Sequence, residues 1–138
     1  MMEKKLILLL VAVLILFSAP ACAGPDMQEG SWEITIVSEI SGMAMQMPAQ
    51  KHTQCLSKMD LIPKDPQAPQ NCDVIEQRID GNMVSWTMEC SSGGVKTVSK
   101  GSIVYIGDSF SGSVDIAIGG TDMKVDSTMT GRRLGPCK

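Results

Sequence analysis

The sequence contains few of the residues from which catalytic and metal sites are built. Its 138 residues include one histidine, His52, which lies in a Lys-His-Thr-Gln stretch with no nucleophile placed beside it by a recognisable motif. No two cysteines have the C-x-x-C spacing of structural zinc sites. Nothing therefore indicates a Ser-His-Asp site. We expect a protein that is not an enzyme and that carries no cofactor and no zinc.

The chain also lacks a cluster of basic residues. Its 12 basic and 15 acidic side chains give a formal charge of −3. Without Glu3, Lys4 and Lys5 of the leader, ten basic and 14 acidic residues remain. Because nothing here can track a phosphate backbone, we expect no nucleic-acid partner. The pair Arg132-Arg133 could clamp a carboxylate or phosphate, but we expect it to be solvated or neutralised by the acidic surface.

No apolar run is long enough to span a bilayer. The longest, residues 6–17, has 12 residues, whereas a spanning helix needs about 20. Two lysines precede it and small residues follow it, which is the pattern of a secretory signal peptide. The sequence therefore predicts a signal peptide over residues 1–23 and a single β domain over residues 24–138, in the periplasm or secreted.

Two cleavage sites compete at the end of this leader. Ala21-Cys22-Ala23 fits cleavage before Gly24, which would release a soluble protein. Cleavage before Cys22 would instead give a lipoprotein held on the outer membrane through the acylated cysteine. We favour the first site, because Ala19 stands where the lipoprotein site usually has a large aliphatic residue.

The plainest structural pattern is a hairpin over residues 72–90. On its second arm Val84, Trp86, Met88 and Cys90 alternate with polar or smaller residues, which is the period of a strand with one buried face. Asp80-Gly81-Asn82 supplies the tight turn. We predict from the same parity that Trp86 is a core residue, and that Trp32 is another.

Either cleavage leaves four cysteines, and this even number in an exported chain predicts two disulfides. A hairpin centred on Gly81 brings Cys72 and Cys90 to the same end of adjacent strands, so we pair them. If the loop over residues 56–71 crosses between the ends of the sheet, Cys55 and Cys137 share the other end. The main alternative pairs Cys55 with Cys72.

Alternating residues predict five further stretches of strand. Their expected inner or shared faces are Trp32, Ile34 and Ile36; Met43, Met45 and Met47, continuing into a strand over Lys51 to Leu56; Val98, Val104 and Ile106; Phe110, Val114 and Ile116; and Met123, Val125, Ser127 and Met129. Ser57 could cap one short helical turn in the loop over residues 56–71, before its prolines.

We therefore predict an all-β fold, an antiparallel meander of about seven strands. Successive strands joined by tight turns tend to pair as neighbours. This favours a small up-and-down barrel or a curved half-barrel over a two-sheet sandwich.

Several motifs in order resemble domain-of-unknown-function family 3617. They are Gly30-Ser31-Trp32-Glu33, Met43-x-Met45-x-Met47-Pro48, Cys55-Leu56, Gly81-Asn82 with Trp86 and Cys90, Gly107-Asp108-Ser109-Phe110-Ser111-Gly112, and Gly131-Arg132-Arg133-Leu134-Gly135-Pro136-Cys137. The resemblance spans essentially the whole chain after the leader. It implies an exported protein of Gram-negative bacteria and implies no activity.

Methionine is the one residue type that is unusually frequent, with 11 in the chain against two Phe, two Trp and one Tyr. Methionine is a flexible filler of cores and apolar surfaces, so the first hypothesis is a binding or interaction module of the cell envelope, for an apolar ligand or an envelope protein. The alternative is a periplasmic Cu(I) protein, because thioether sulfur suits Cu(I). Its ligands would be Met43, Met45, Met47 and His52.

Overall fold

The computed structural model describes residues 24–68 and 71–138, and these form one antiparallel sheet. Its seven strands are Gly30–Ile40 (β1), Gln50–Leu56 (β2), Cys72–Asp80 (β3), Met83–Ser92 (β4), Val95–Ile106 (β5), Ser109–Ile118 (β6) and Lys124–Gly135 (β7). The predicted all-β fold of about seven strands is confirmed. The predicted leader, with both of its cleavage sites, lies outside the described residues.

The order of the strands is that of an up-and-down barrel with one pairing missing. Across the sheet the order is β2-β1-β7-β6-β5-β4-β3. A closed meander would have the same neighbours plus a β2–β3 pair. The sheet is therefore the open one of the two forms that we considered, and β2 and β3 are its two edges.

Tight turns explain why the strands from β3 to β5 pair in sequence. Gly81 begins the β3–β4 turn with a φ of 58°, and Asn82 does not have a positive φ, which is the pattern of a type II′ hairpin turn. Gly93 and Gly94 both have positive φ at the β4–β5 turn, as a type I′ turn requires. These turns match the right-handed twist of the strands that they join.

One face of the sheet, the inner face, carries the core. Its fully buried large side chains include Trp32 and Ile34 from β1, Val84 from β4, and Ile103 and Tyr105 from β5. Trp86 is 5% exposed, so the predicted core positions of both tryptophans are confirmed. The opposite, outer face is mostly polar, with Val104 and Ile106 among its exceptions.

Three large inner-face side chains lie opposite glycines of the neighbouring strand. The register pairs Trp86 with Gly101, Ile103 with Gly112, and Phe110 with Gly131. A Cβ at any of these glycines would overlap the facing side chain or its backbone. Glycine therefore lets each large side chain lie flat on the next strand.

This packing inverts the predicted faces of β5. We expected Val98, Val104 and Ile106 to point inward, but Val104 and Ile106 are exposed and Ile103 and Tyr105 are buried. The prediction was wrong because it followed the valines and isoleucines of one strand alone. The indole of Trp86 on β4 leaves no room for a side chain at the residue opposite it, which is Gly101. Gly101 therefore lies on the inner face, and so do the alternate residues Ile103 and Tyr105.

The loop after β2 covers the inner face. Leu61 and Ile62 are buried in the same cluster as Trp32 and Tyr105. The hydroxyl of Tyr105 donates a hydrogen bond of 2.6 Å to the backbone carbonyl of Leu61. A chain segment thus closes the core on the side where a barrel would have its opposite wall.

The predicted helical turn in this loop is wrong, because no described residue of the loop is helical. Ser57 and Asp60 instead exchange backbone hydrogen bonds of 3.4 and 3.0 Å across a tight turn. The Ser57 hydroxyl accepts from the backbone N–H of Met59. The hydroxyl satisfies a turn rather than a helix N-terminus.

Two disulfides hold the two edge strands. Cys55 of β2 bonds to Cys137, and Cys72 of β3 bonds to Cys90 of β4. This is the pairing that the hairpin geometry favoured, and the loop does cross between the ends of the sheet. Disulfides are consistent with an extracellular or periplasmic protein. In the part of the chain that the structure describes, no helix is both long and apolar enough to cross a membrane.

Candidate functional site

Strand β3 is the open edge of the sheet. Within residues 24–68 and 71–138, β4 is its only hydrogen-bonded neighbour. In an antiparallel pair, alternate residues direct their N–H and C=O groups away from the partner strand. β3 therefore presents backbone groups without a partner strand along one side, and we call this side, over residues 73–80, the β3 edge.

Apolar side chains follow the β3 edge. Val74 is 46% exposed, Ile75 is 56% exposed and Ile79 is 46% exposed. Val74 and Ile79 lie opposite Met88 and Val84 in the register, so they extend the inner face. On β4, Val84 is buried and Met88 is half-buried, whereas the core ends before it covers β3.

The register of β3 is irregular at one point. Val74 pairs with Met88 and Glu76 pairs with Thr87, so Ile75 has no residue opposite it on β4. This is the arrangement of a β-bulge, which bends a strand and increases its local twist. The bulge restricts how another strand can pair with the β3 edge.

The outer face of β3 carries charges instead. Glu76 and Arg78 form an ion pair with 3.1 Å between Oε1 and Nη2, and both side chains are more than half exposed. Such a pair contributes little to stability. Both residues line a shallow groove of about 250 Å³ together with Ser85, Thr87 and Lys100.

The other edge, β2, also has a single neighbour strand but differs in its side chains and in the loop that lies against them. Its inner face carries Gln50, His52 and Gln54 rather than exposed aliphatic residues. The following loop runs alongside it: the backbone N–H of Lys64 donates to Gln54 Oε1 at 3.0 Å, and Gln50 Nε2 donates to Gln67 Oε1 at 3.2 Å. The loop thus lies against the inner-face side chains of β2, and in this sense it flanks the β2 edge.

The structure does not place the predicted methionine strand in a strand. Met43, Met45 and Met47 lie in the connection between β1 and β2, where Gln46 makes a single bridge to Glu39. Because they alternate with other residues, we predicted that they belong to the second strand, but β2 begins only at Gln50, after Pro48. All three methionines are exposed, by 56%, 67% and 37%.

His52 is oriented differently from these methionines. It pairs with Ile34 in the register and so lies on the inner face of β2. Its Nε2 atom is shielded from solvent and has no hydrogen-bond partner. Among the described residues, no group of three or more histidine, cysteine and acidic side chains could hold a metal ion.

The arginine pair near the C-terminus has protein partners. Arg132 lies 3.6 Å from a carboxylate oxygen of Glu33. Arg133 donates from Nε to the backbone carbonyl of Glu29 at 2.9 Å. As expected, the acidic surface neutralises Arg132, while Arg133 fastens the segment before β1.

Tyr105 is an ionisable residue whose pKa is shifted by its surroundings, and its role is to hold the fold together. Burial, together with the negative charge of Asp60, raises the pKa of Tyr105 above its usual value. Its ring contacts Trp32 and Phe110, with centroids 5.8 and 5.4 Å away. Tyr105 thus joins the loop to the core and does not face a groove.

Sequence reasoning missed the β3 edge. The pattern of β4 identified the hairpin, but which strands stay unpaired depends on contacts between distant parts of the chain. One local signal was present: Val74 and Ile75 are adjacent apolar residues in a strand of period two, and this breaks the alternation where the bulge lies.

Comparison with known proteins identifies the family to which the chain belongs. No curated protein and no solved structure matches the chain. The family described as "Protein of unknown function (DUF3617)" matches residues 27–137, which include all seven strands and all four disulfide cysteines. The resemblance noted from the sequence motifs is thereby confirmed, and the chain belongs to the DUF3617 family.

Proposed function

We propose that this protein is a non-enzymatic interaction module of the cell envelope that binds a protein partner along its β3 edge. The observation that carries the proposal is the coincidence of unpaired backbone with exposed Val74, Ile75 and Ile79. Extended segments bind exposed sheet edges through main-chain hydrogen bonds, with side-chain contacts supplying specificity.

The contrast between the two edges supports this position. A long, exposed apolar edge is a hazard that proteins usually cover, shorten or charge. The chain flanks its β2 edge with its own loop, whereas within residues 24–68 and 71–138 no strand pairs with the free side of β3. Export to the periplasm, which the leader and the disulfides favour, would place this edge where other envelope proteins can reach it.

Photo-crosslinking in the native host tests the proposal. A photoreactive amino acid replaces Gln77, in the middle of the β3 edge, and in a control strain it replaces Ser113, on the outer face of β6. We expect discrete protein adducts from position 77 and none from position 113. Adducts of equal yield at both positions, none at position 77, or a small apolar ligand as the only adduct would overturn the proposal.

A second candidate, Cu(I) binding, is supported by the exposure of three alternating thioethers. Soft sulfur ligands select Cu(I), and Met43, Met45 and Met47 are accessible to a metal. The Nε2 atom of His52 is shielded on the inner face, so the three methionines would be the first ligands to bind the ion. Cu(I) titration against a weak chelator tests it, with a variant carrying leucine at all three methionines as control. Failure of the wild-type protein to compete would exclude this candidate.

A further inference from the structure

We propose that the partner on the β3 edge is a second copy of this chain, paired β3 to β3 in antiparallel fashion about a two-fold axis at Gln77. The inference rests on the proposed function, because it names the occupant of the same edge. It follows from the order of charged and apolar residues along β3.

With the axis at Gln77, the strand is complementary to itself. Glu76 then lies opposite Arg78 of the second copy, and Arg78 lies opposite Glu76 of that copy. Ile75, the residue of the bulge, falls at each end of this paired segment, near Ile79 of the second copy. Opposite charges across strands stabilise a sheet, and this register contains two such pairs with isoleucines beside them.

Neighbouring registers lose this complementarity. An axis at Glu76 sets Glu76 against itself, and an axis at Arg78 sets Arg78 against itself and Glu76 against Asp80. Like charges directly opposite one another are destabilising. An axis at Ile79 does pair Arg78 with Asp80, but the paired segment then runs into the Gly81-Asn82 turn. Charge excludes the axes at Glu76 and Arg78, the turn excludes the axis at Ile79, and the axis at Gln77 remains.

The backbone has the phase that this register needs. In a two-residue hairpin the residues that flank the turn are a hydrogen-bonded pair, and here they are Asp80 and Met83. Counting back along β3, Gln77 and Ile79 then direct their N–H and C=O groups away from β4. Gln77 at the axis can therefore exchange two main-chain hydrogen bonds with its own copy.

The assembly closes at two copies. An axis at Gln77 keeps the inner faces of both sheets on the same side, so the two sheets become one. The outer ends of this sheet are the two β2 edges, which the loop flanks. The interface is isologous and does not propagate into a filament. Pairing of two short strands buries less area than a stable interface needs, so we expect a weak dimer.

Sedimentation velocity of the disulfide-bonded mature protein, over concentrations from about 10 µM to about 1 mM, tests the proposal against the range expected of a weak interface. The wild-type protein should pass from monomer to dimer. Glu76→Arg places an arginine opposite Arg78 of the other copy at both symmetry-related positions, and Arg78→Glu likewise places a glutamate opposite Glu76 of the other copy. Each should weaken dimerisation about tenfold or more.

Two matched controls make the test specific to the register. The double variant Glu76→Arg/Arg78→Glu restores both opposite-charge pairs and should dimerise like the wild-type protein. An equimolar mixture of the two single variants should form a heterodimer, because each arginine then meets a glutamate. Thermal unfolding should be the same for all variants, since the residues are exposed.

The outcomes separate this inference from the proposed function. A wild-type protein that stays monomeric at the highest concentration, or single variants that dimerise as the wild type does, would overturn self-pairing. Crosslinked adducts at position 77 with a different protein would then leave the proposed function standing. Crosslinked adducts with twice the mass of the chain support the inference.

Discussion

The two edges of this sheet differ in what protects them. Edge β2 is flanked by the loop that follows it and presents glutamine and histidine on its inner face. In the described part of the chain, edge β3 beyond Cys72 has no such loop beside it and presents Val74, Ile75 and Ile79. Both are fixed by a disulfide, Cys55–Cys137 for β2 and Cys72–Cys90 for β3. The comparison teaches that the open edge, too, is tethered by a disulfide, while its apolar side chains stay exposed among the described residues.

Removing the disulfide of the covered edge should have the largest effect. The bond between Cys55 and Cys137 closes a loop with a sequence separation of 82 residues, against 18 for Cys72 and Cys90. In the chain-entropy model the two contribute about 4 to 5 and about 3 kcal/mol. Urea unfolding of the two double Cys→Ser variants measures both. Equal losses of stability would contradict the expectation that the disulfide closing the longer loop contributes more.

Truncating the buried tryptophan next to the open edge comes second. Trp86→Ala should cost about 3 to 5 kcal/mol, because it empties the space that the indole fills above Gly101. Thermal and urea unfolding measure the loss. A stability close to that of the wild-type protein would mean that the inner face is assigned to the wrong side of β4.

Separating the loop from the core should have an intermediate effect. Tyr105→Phe removes the hydrogen bond to the Leu61 carbonyl and leaves a buried acceptor unpaired, at a cost of about 1 to 3 kcal/mol. Urea unfolding at neutral pH checks the value. An unchanged free energy would show that the loop does not depend on this contact.

The same tyrosine makes stability depend on pH. The folded protein keeps a proton that the unfolded chain releases above pH about 10, the usual pKa of tyrosine, because burial raises the pKa of Tyr105. The free energy of unfolding should therefore be full below that pH and fall as pH rises above it. Tyr105→Phe should lessen this fall, and equal slopes in both proteins would contradict the assignment.

Substitution on the open edge itself should have the smallest effect. Ile75→Ser changes a side chain that is more than half exposed and has no residue opposite it on β4. We expect a change within about 0.5 kcal/mol at low protein concentration, as for other surface positions. A loss as large as that of Trp86→Ala would show that the edge belongs to the core.

The sequence predicted those features that depend on neighbouring residues. Alternation placed Trp32 and Trp86 inside, and the turn at Gly81 placed Cys72 beside Cys90. Which face of β5 points inward could not be predicted from β5 alone, because the inward position of Gly101 is required by Trp86 on the neighbouring strand. Ser57 was misread because its hydroxyl can cap a helix or a turn equally well. The β3 edge was missed because Leu61 and Ile62 of the loop fill the core where a closed barrel would have its opposite wall. The sequence pattern of the strands does not reveal that β2 and β3 stay unpaired with each other.

Amide hydrogen exchange tests most directly the central claim, that β3 is an open edge available for pairing. At low protein concentration we expect the amides of Gln77 and Ile79 to exchange much faster than those of Ile103 and Val114, which lie in strands with neighbours on both sides. At high concentration the β3 amides should become protected while the other strands stay unchanged. Slow exchange of Gln77 and Ile79 at every concentration would contradict the account, because these amides would already have a partner within the chain.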